Sequence, residues 1–328
     1  MTNVRLEPIK FSPDFKERVW GGRNLARYGF NLPEGRIGEA WAIADHPNGA
    51  SRVADGPLVG LTLADLRGRF GPELFGTAYR FRPDGRFPLL IKWLDCEDDL
   101  SVQVHPDDRY ERLAPGEWGK TEMWYVLDAD PGARIVYGLK PGVDRAELER
   151  LVAENRVEEA LLSTTVRPGD TFYIPAGTVH ALCAGVLVAE IQQNSDTTYR
   201  LYDYGRLGLD GKPRELHVED SLNVIRYGES GVYRSAVEVS PARPNEWIRL
   251  VASPYFVTDK ALVDGECISA TSPHSFAILM FCEGEGSLRW NGGERQVRPG
   301  ECYLLPASLG EYTLAGRLTV LRSGLPPA

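Results

Sequence analysis

A polar face alternates with an apolar one along the stretch Leu-Ser-Val-Gln-Val-His, which ends at His105. On a strand, successive side chains point to opposite faces, so Ser101, Gln103 and His105 share one face. Two further residues able to bind a metal, Glu122 and His180, come from separate strand segments downstream. Two imidazoles, a carboxylate and an amide oxygen have the composition of a catalytic zinc site with one position open to water or substrate. These residues predict one such site.

The same residues also have a structural interpretation. A Gln-x-His pair occurs on solvent-facing edge strands, and unrelated polar positions are common in β proteins. The spacing is neither that of a zinc finger nor that of a helical His-Glu-x-x-His motif. Residue types and spacing alone therefore leave both interpretations open.

A lysine, Lys92, stands in the middle of the apolar run 87–95. Such a run is typical of a buried strand, where a lysine is costly unless it is paired or faces a cavity. Lys92 therefore either reaches out from a sheet edge or lines the site, and its nearness in sequence to Ser101 favours the site.

The remaining histidines have no neighbouring ligand types. His46 lies in the turn 45–49 beside Pro and Asn-Gly, so we expect it to be a solvated loop residue. We expect His217 at the surface, since Glu215 and Glu219 are near it in sequence, and His274 to be structural.

The composition is that of a globular protein rich in turns. The 328 residues include 34 Gly and 23 Pro, which favours a β-rich architecture over a helical bundle. The net charge of -9 argues against nucleic acid or an anionic membrane as a partner. Five scattered cysteines without a Cys-x-x-Cys motif are typical of reduced thiols, and no apolar run is long enough to span a membrane. We therefore expect a cytoplasmic protein.

An internal repeat suggests two copies of one β unit. Residues 297–307 match residues 166–176, with six of eleven positions identical. Where the first copy has His180 the second has Glu311, and no Gln-x-His strand precedes it. The second copy is therefore expected to lack a metal.

Four ordered motifs resemble the type I mannose-6-phosphate isomerases, a family of the cupin superfamily, and specifically its short bacterial branch. The motifs are Ser-Val-Gln-Val-His-Pro-Asp-Asp from 101, Gly-Lys-Thr-Glu-Met-Trp-Tyr from 119, Ile-Pro-Ala-Gly-Thr-Val-His-Ala from 174 and Asn-Ser-Asp-Thr-Thr-Tyr-Arg-Leu-Tyr-Asp-Tyr from 194. The similarity begins at the Trp-Gly-Gly segment 20–22 and continues to about residue 225.

This resemblance implies a mainly β fold of two cupin-type jelly-roll β-barrels. The catalytic domain would span residues 1–234, with a short helical insertion near 144–162. A degenerate second domain without metal would span residues 235–328. Long members of the family insert a whole helical domain between the glutamate ligand and the last histidine, for which this chain has no room.

The resemblance also assigns roles to individual residues. The ligands of one Zn²⁺ per chain would be Gln103, His105, Glu122 and His180. The catalytic residues would be Arg200, Lys120 and Glu190, the last of which would move the proton. The substrate-binding residues on the phosphate side would be Ser101, Lys92 and Arg206.

The implied reaction moves a carbonyl between C1 and C2, converting mannose 6-phosphate to fructose 6-phosphate through an enediolate. Two alternatives remain open from the residues. One is another metal-dependent cupin enzyme, such as an oxygenase or a different sugar-phosphate isomerase; the other is a non-catalytic sugar-binding double cupin. The cations Lys92, Arg200 and Arg206 favour an anionic sugar over oxygen chemistry.

Overall fold

The computed structural model describes residues 5–79, 84–228 and 243–327. Its strands are β1 (Ile9–Ser12), β2 (Asp14–Gly22), β3 (Ile37–Ile43), β4 (Asp45–His46), β5 (Gly49–Ala50), β6 (Arg52–Val53), β7 (Leu89–Cys96), β8 (Val102–Val104), β9 (Glu122–Ala129), β10 (Arg134–Leu139), β11 (Leu161–Thr165), β12 (Thr171–Ile174), β13 (His180–Leu182), β14 (Val186–Gln193), β15 (Tyr199–Tyr202), β16 (Trp247–Ala252), β17 (Val257–Ala270), β18 (Ala277–Trp290), β19 (Gly293–Val297), β20 (Cys302–Leu305) and β21 (Glu311–Gly324).

The helices are few and short, and local sequence signals define where they begin. They are α1 (Leu63–Phe70), α2 (Pro72–Phe75), α3 (Arg145–Ala153) and α4 (Val218–Val224), with 3₁₀ turns at Asn24–Tyr28, Gly56–Leu58 and Val157–Ala160. The Asp144 side chain accepts a hydrogen bond from the Glu147 backbone N–H at 2.8 Å and so caps α3. The structure thus contains the short helical segment expected between residues 144 and 162.

Two sheets face each other in the first part of the chain. One has the strand order β12-β9-β14-β7-β2-β3, and the other has the order β11-β10-β13-β8-β15. Alternate residues of the six-stranded sheet, such as Leu94 and Trp124, pack with Ile135 of the facing sheet. Their neighbours Trp93 and Tyr125 point to the opposite side, as the period of two requires.

Helices cover the outer face of the five-stranded sheet. Val102 and Ala181 on its strands pack with Leu148 of α3 and Leu222 of α4. The inner face is therefore left for the space between the sheets, where the polar side chains of β8 and β13 lie.

The outer face of the six-stranded sheet packs on a third sheet, formed mainly by the C-terminal residues. Its order is β16-β17-β21-β18-β20-β1-β6, with β19 paired to β18. Ile9 of β1 pairs with Leu304, so the beginning of the chain contributes strands to this sheet. The predicted domain boundary at 234 lies outside the described residues and stays a prediction.

The mainly β fold class is confirmed, with one refinement. Among the described strands the pairing leaves each sheet open, so no hydrogen-bonded barrel closes. The internal repeat corresponds to a turn followed by a short strand in both copies, β12 in the first and β20 in the second. Gly169 and Gly300 occupy the same place in these turns with φ of 92° and 86°, which favours glycine.

Candidate active site

Three predicted metal ligands meet between the two facing sheets. His180 lies on β13 directly opposite Gln103 of β8, whereas Glu122 begins β9 on the other sheet. The Nε2 atom of His180 is 3.3 Å from Oε1 of Glu122, and Nε2 of His105 is 3.5 Å from Oε2. His105, Glu122 and His180 each offer one ligand atom, and these atoms lie within 4.8 Å of one another.

The protonation states favour a cation at this point. The Nδ1–H of His180 donates to the Thr178 carbonyl at 2.8 Å, so its Nε2 carries the lone pair. Burial lowers the pKa of His180 and lowers that of His105 to about 3, which keeps both rings neutral. Burial alone would raise the pKa of Glu122, but Lys120 and the histidines outweigh it and hold that pKa well below its usual value.

The lone pair on His180 Nε2 therefore faces the Glu122 carboxylate. His105 Nε2 and Glu122 Oε1 are buried and have no hydrogen-bond partner among the described residues. Orphaned buried acceptors are costly, and a divalent ion would satisfy them. The donor set of His105, Glu122 and His180 thus fits a metal ion.

Gln103 is placed to be a fourth ligand. Its side-chain amide lies 3.4 Å from His180 Nε2. A rotation of the Gln103 amide by 180° exchanges the positions of its oxygen and nitrogen. Its Oε1 would then face the point between the other three ligand atoms.

A cavity of about 560 Å³ opens beside this group of ligands. Lys92 lines it, buried, with its Nζ 3.1 Å from Glu190 Oε2 and 3.5 Å from Glu39 Oε2. Burial alone would lower the pKa of Lys92, but Glu190 and Glu39 outweigh it and raise that pKa. Lys92 therefore faces the cavity as a charged group, one of the two positions the sequence left open.

Glu190 lies next to Lys92 on the neighbouring strand, since the two residues are direct partners of β14 and β7. The Trp124 Nε1–H donates to its Oε1 at 3.0 Å. Burial raises the pKa of Glu190, although Lys92 partly offsets that effect. Glu190 thus combines a fixed position with a pKa above its ordinary value.

Three other predicted residues also line the cavity. Ser101 and Lys120 are buried there, and Lys120 Nζ is 3.1 Å from Glu122 Oε2. Arg200 is the partner of Gln103 in the ladder between β15 and β8. One Nη of Arg200 donates to the Glu215 carbonyl at 2.6 Å, whereas its buried Nε has no partner among the described residues.

The structure does not bring Arg206 to the lining of this cavity. Its Nε donates to Asp203 at 2.9 Å, and one Nη contacts the Asp99 carbonyl. The chain leaves β15 through Tyr204 and Gly205, both with positive φ, so the alternation of the strand no longer predicts where residue 206 points. The expected phosphate contact of Arg206 does not follow from this position.

Several cavity residues were not predicted from the sequence. They are Glu39 on β3, Arg18 and Trp20 on β2, Trp124 on β9, and Arg214. The alternation of Glu39 with Trp41 in a strand was a usable signal, because a carboxylate on a buried strand requires partners. Arg18 supplies one, since its Nε donates to Glu39 Oε1 at 2.6 Å.

The other histidines differ in part from expectation. His46 is buried, with its Nε2 3.6 Å from Glu117 Oε1, so the expectation of a solvated loop residue is wrong. His217 is half-buried, and its Nδ1 accepts from the Arg200 N–H at 3.2 Å. His274 contacts the carbonyl of Pro326 at 3.1 Å, which agrees with a structural role.

The arrangement can activate a small polar substrate. It combines a metal-binding group, a carboxylate with a raised pKa and several cations in one enclosed space. These groups suit proton abstraction next to a carbonyl, where a base acts while developing oxyanion charge is stabilised.

Comparison with protein families gives two matches along the chain. The family model of the phosphomannose isomerase type I catalytic domain matches residues 9–127, and that of the mannose-6-phosphate isomerase cupin domain matches residues 247–325.

Individual relatives match over nearly the full length. The chain is 42% identical to mannose-6-phosphate isomerase ManA of Bacillus subtilis over 311 residues, which cover 94% of this chain and 96% of the relative. It is 36% identical to the mannose-6-phosphate isomerase of Streptococcus mutans, over 97% of this chain and 98% of the relative. The crystal structure of the mannose 6-phosphate isomerase from Bacillus subtilis superposes with a TM-score of 0.87 at 38% identity, covering 97% of this chain and 99% of that chain.

Proposed function

The chain belongs to the type I mannose-6-phosphate isomerases, and on that premise we propose how its cavity interconverts mannose 6-phosphate and fructose 6-phosphate. The observation that carries the proposal is the convergence of three groups on one cavity. These are the metal-binding residues, the Glu190–Lys92 pair and Arg200.

Four residues would hold one zinc ion, and the site keeps a side open to the cavity. They are Gln103, His105, Glu122 and His180. A bound divalent ion supplies Lewis-acid polarisation of the sugar carbonyl and stabilises negative charge on its oxygens. Lys120, 3.1 Å from Glu122, keeps that carboxylate ionised and oriented.

Glu190 is proposed to carry the proton between C1 and C2 of the open-chain sugar. A base that accepts and returns a proton works best when its pKa approaches the working pH, and burial moves the pKa of Glu190 in that direction. The Trp124 N–H and the Lys92 ammonium hold the carboxylate in place, at 3.0 and 3.1 Å.

Arg200 is proposed to stabilise the negative charge that develops on the enediolate. Its unpartnered Nε lies in a buried position, where a charge-assisted hydrogen bond is stronger than in water. Ser101 and Lys92 add buried donors for the substrate.

We place the enzyme in the cytoplasm. All five cysteines are free and buried, as is common in a reducing compartment. Among the described residues, no helix has the length and apolar character needed to cross a membrane.

Two variants and a control test the division of roles. Glu122→Gln removes a charged ligand, so zinc content and isomerase activity should fall together. Arg200→Ala should keep zinc while kcat falls by at least about 100-fold, since one oxyanion donor typically contributes that much. Arg167→Ala, at a side chain 81% exposed, is the matched control and should change neither.

Zinc content is measured by atomic emission, and activity by conversion of mannose 6-phosphate. Full activity of Arg200→Ala would remove that residue from the mechanism. Full activity of a Glu122→Gln chain that has lost its zinc would remove the metal from it.

A further inference from the structure

The cavity continues past the metal-binding group toward the beginning of β8. Ser101 lies two residues before Gln103, which corresponds to about 7 Å along a strand. Leu100 and Leu182 form the wall at this end together with Trp20, and the Leu100 N–H donates to the Leu182 carbonyl at 2.9 Å. A substrate whose reacting carbons face the metal ligands therefore places its far end here.

Besides Arg200, two guanidinium groups line the cavity from opposite sides, and neither was predicted to bind substrate. Arg18 lies on β2 next to Glu39, and Glu39 pairs with Leu94, two residues beyond Lys92 toward this end. Arg214 comes from the loop after β15 of the facing sheet. Its side chain is 20% exposed and that of Arg18 is 32% exposed, so both remain accessible.

Each of the two arginines is held by its own buried carboxylate and has N–H donors that this contact does not use. Arg214 donates through Nε at 2.7 Å and through Nη2 to Asp203. Arg18 donates through Nε to Glu39 and through Nη1 to the Glu17 carbonyl at 3.2 Å. Arg18 Nη2 and Arg214 Nη1 have no hydrogen-bond partner among the described residues.

We propose that Arg18 and Arg214, with the Ser101 hydroxyl, bind the 6-phosphate of the substrate between the two sheets. The inference rests on the proposed function, because it takes a sugar phosphate as the ligand. The N–H groups of a guanidinium match the spacing of two phosphate oxygens. The hydrogen bonds to Glu39 and Asp203 orient the two guanidinium groups before the ligand binds. Arg206 supports this site indirectly, since it shares Asp203 with Arg214.

The arrangement also accounts for phosphate binding in an acidic protein. Lys92 is already shared between Glu39 and Glu190, and Lys120 pairs with Glu122. Neither ammonium is therefore free for a distant dianion. Arg18 and Arg214 are each paired with a carboxylate as well, but each guanidinium keeps one Nη group without a partner in the described part of the chain, which is available to a phosphate.

The test measures binding of sorbitol 6-phosphate to the zinc-loaded full chain by calorimetry. This open-chain probe carries the phosphate but no carbonyl, so binding does not depend on turnover. Arg18→Gln and Arg214→Gln should each raise its Kd about tenfold or more, the loss expected for a charge-assisted contact. Arg206→Gln should raise the Kd less than either of these variants, because Arg206 acts only through Asp203. Arg317→Gln is the control, at a side chain 87% exposed in the C-terminal sheet, and should leave the Kd unchanged.

Lysine replacements provide a second readout that does not require removing the charge. Arg18→Lys and Arg214→Lys should bind sorbitol 6-phosphate more tightly than the glutamine variants but less tightly than the native chain. Lysine keeps the positive charge but loses the paired N–H donors of the guanidinium group. They also serve as the test if a glutamine variant fails to fold. In steady state, the arginine variants should raise KM for mannose 6-phosphate more than they lower kcat.

Normal sorbitol 6-phosphate binding by both Arg18→Gln and Arg214→Gln would overturn the proposal. So would a tenfold loss in Arg206→Gln alone, because the phosphate would then lie at Arg206. A chain that binds the probe in an arginine-dependent way but does not isomerise mannose 6-phosphate would overturn the proposed function and leave this phosphate site standing.

Discussion

Glu39 joins two cations of the cavity, and its replacement by glutamine should destabilise the protein. The carboxylate accepts from Arg18 at 2.6 Å and from the Trp41 indole N–H at 2.7 Å, and it faces Lys92 at 3.5 Å. Burial acts to raise the pKa of Glu39, but Lys92, Arg18 and Trp41 outweigh it and lower that pKa from 4.5 to about 2. Each pKa unit corresponds to about 1.4 kcal/mol, so Glu39→Gln should lower the free energy of unfolding by about 3 kcal/mol at pH 7.

The pH dependence of this loss follows from the sign of the shift. Because the folded pKa of Glu39 is depressed, its stabilisation is present above the unfolded pKa near 4.5 and disappears as the pH falls toward 2. The difference between the native chain and Glu39→Gln should therefore shrink across that window. Urea unfolding followed by circular dichroism at several pH values between 7 and 3 measures it.

A matched control separates this effect from the general loss of a carboxylate. Glu266 pairs with Arg289 at the surface and is 58% exposed, so Glu266→Gln should change the unfolding free energy by less than about 0.5 kcal/mol. Equal stability of Glu39→Gln and the native chain at pH 7 would show that the ion pairs of Glu39 do not stabilise the fold. A deficit that stays constant down to pH 3 would contradict the pH dependence expected from the lowered pKa of Glu39.

Two further predictions concern the metal-binding group and the cavity wall. Because burial lowers the pKa of both His105 and His180, zinc binding at pH 6 should release fewer protons from them than the about 1.5 that two histidines of ordinary pKa would release. Calorimetry in buffers of different ionisation enthalpy checks this, and release of as many protons as two ordinary histidines give would contradict it. Gly38→Ala should lower stability by about 1–3 kcal/mol and raise KM, because its Cβ would lie 2.6 Å from the Trp20 ring. Gly68→Ala, with open space around its Cβ, is the control; equal melting temperatures for the two variants would count against the prediction.

The strand period accounts for much of what the sequence predicted. Ser101, Gln103 and His105 were expected to share a face, and the structure directs Ser101 and Gln103 into the cavity and His105 to the ligand group. Lys92 and Glu190 follow the same rule on β7 and β14. The alternation of side chains along a strand predicts these directions correctly because each residue lies within or next to a regular strand.

Other features depend on pairings between distant segments, which local periodicity does not encode. The pairing of Ile9 with Leu304 brings the first strand into the C-terminal sheet. Arg18 and Arg214 lie about 200 residues apart in sequence and line one cavity only because two sheets face each other. His46 was expected in solvent because its turn residues suggested a loop, but packing against Trp41 buries it.

Metal-dependent isomerisation is tested by following the proton at C2. The native chain is incubated with mannose 6-phosphate in deuterated buffer, before and after thorough chelation and again after zinc is restored. Formation of fructose 6-phosphate, with deuterium at C2 of the recovered mannose 6-phosphate, should occur only in the samples that contain metal. Absence of product and of deuterium with zinc present would contradict the account, and so would unchanged isomerisation after complete removal of the metal.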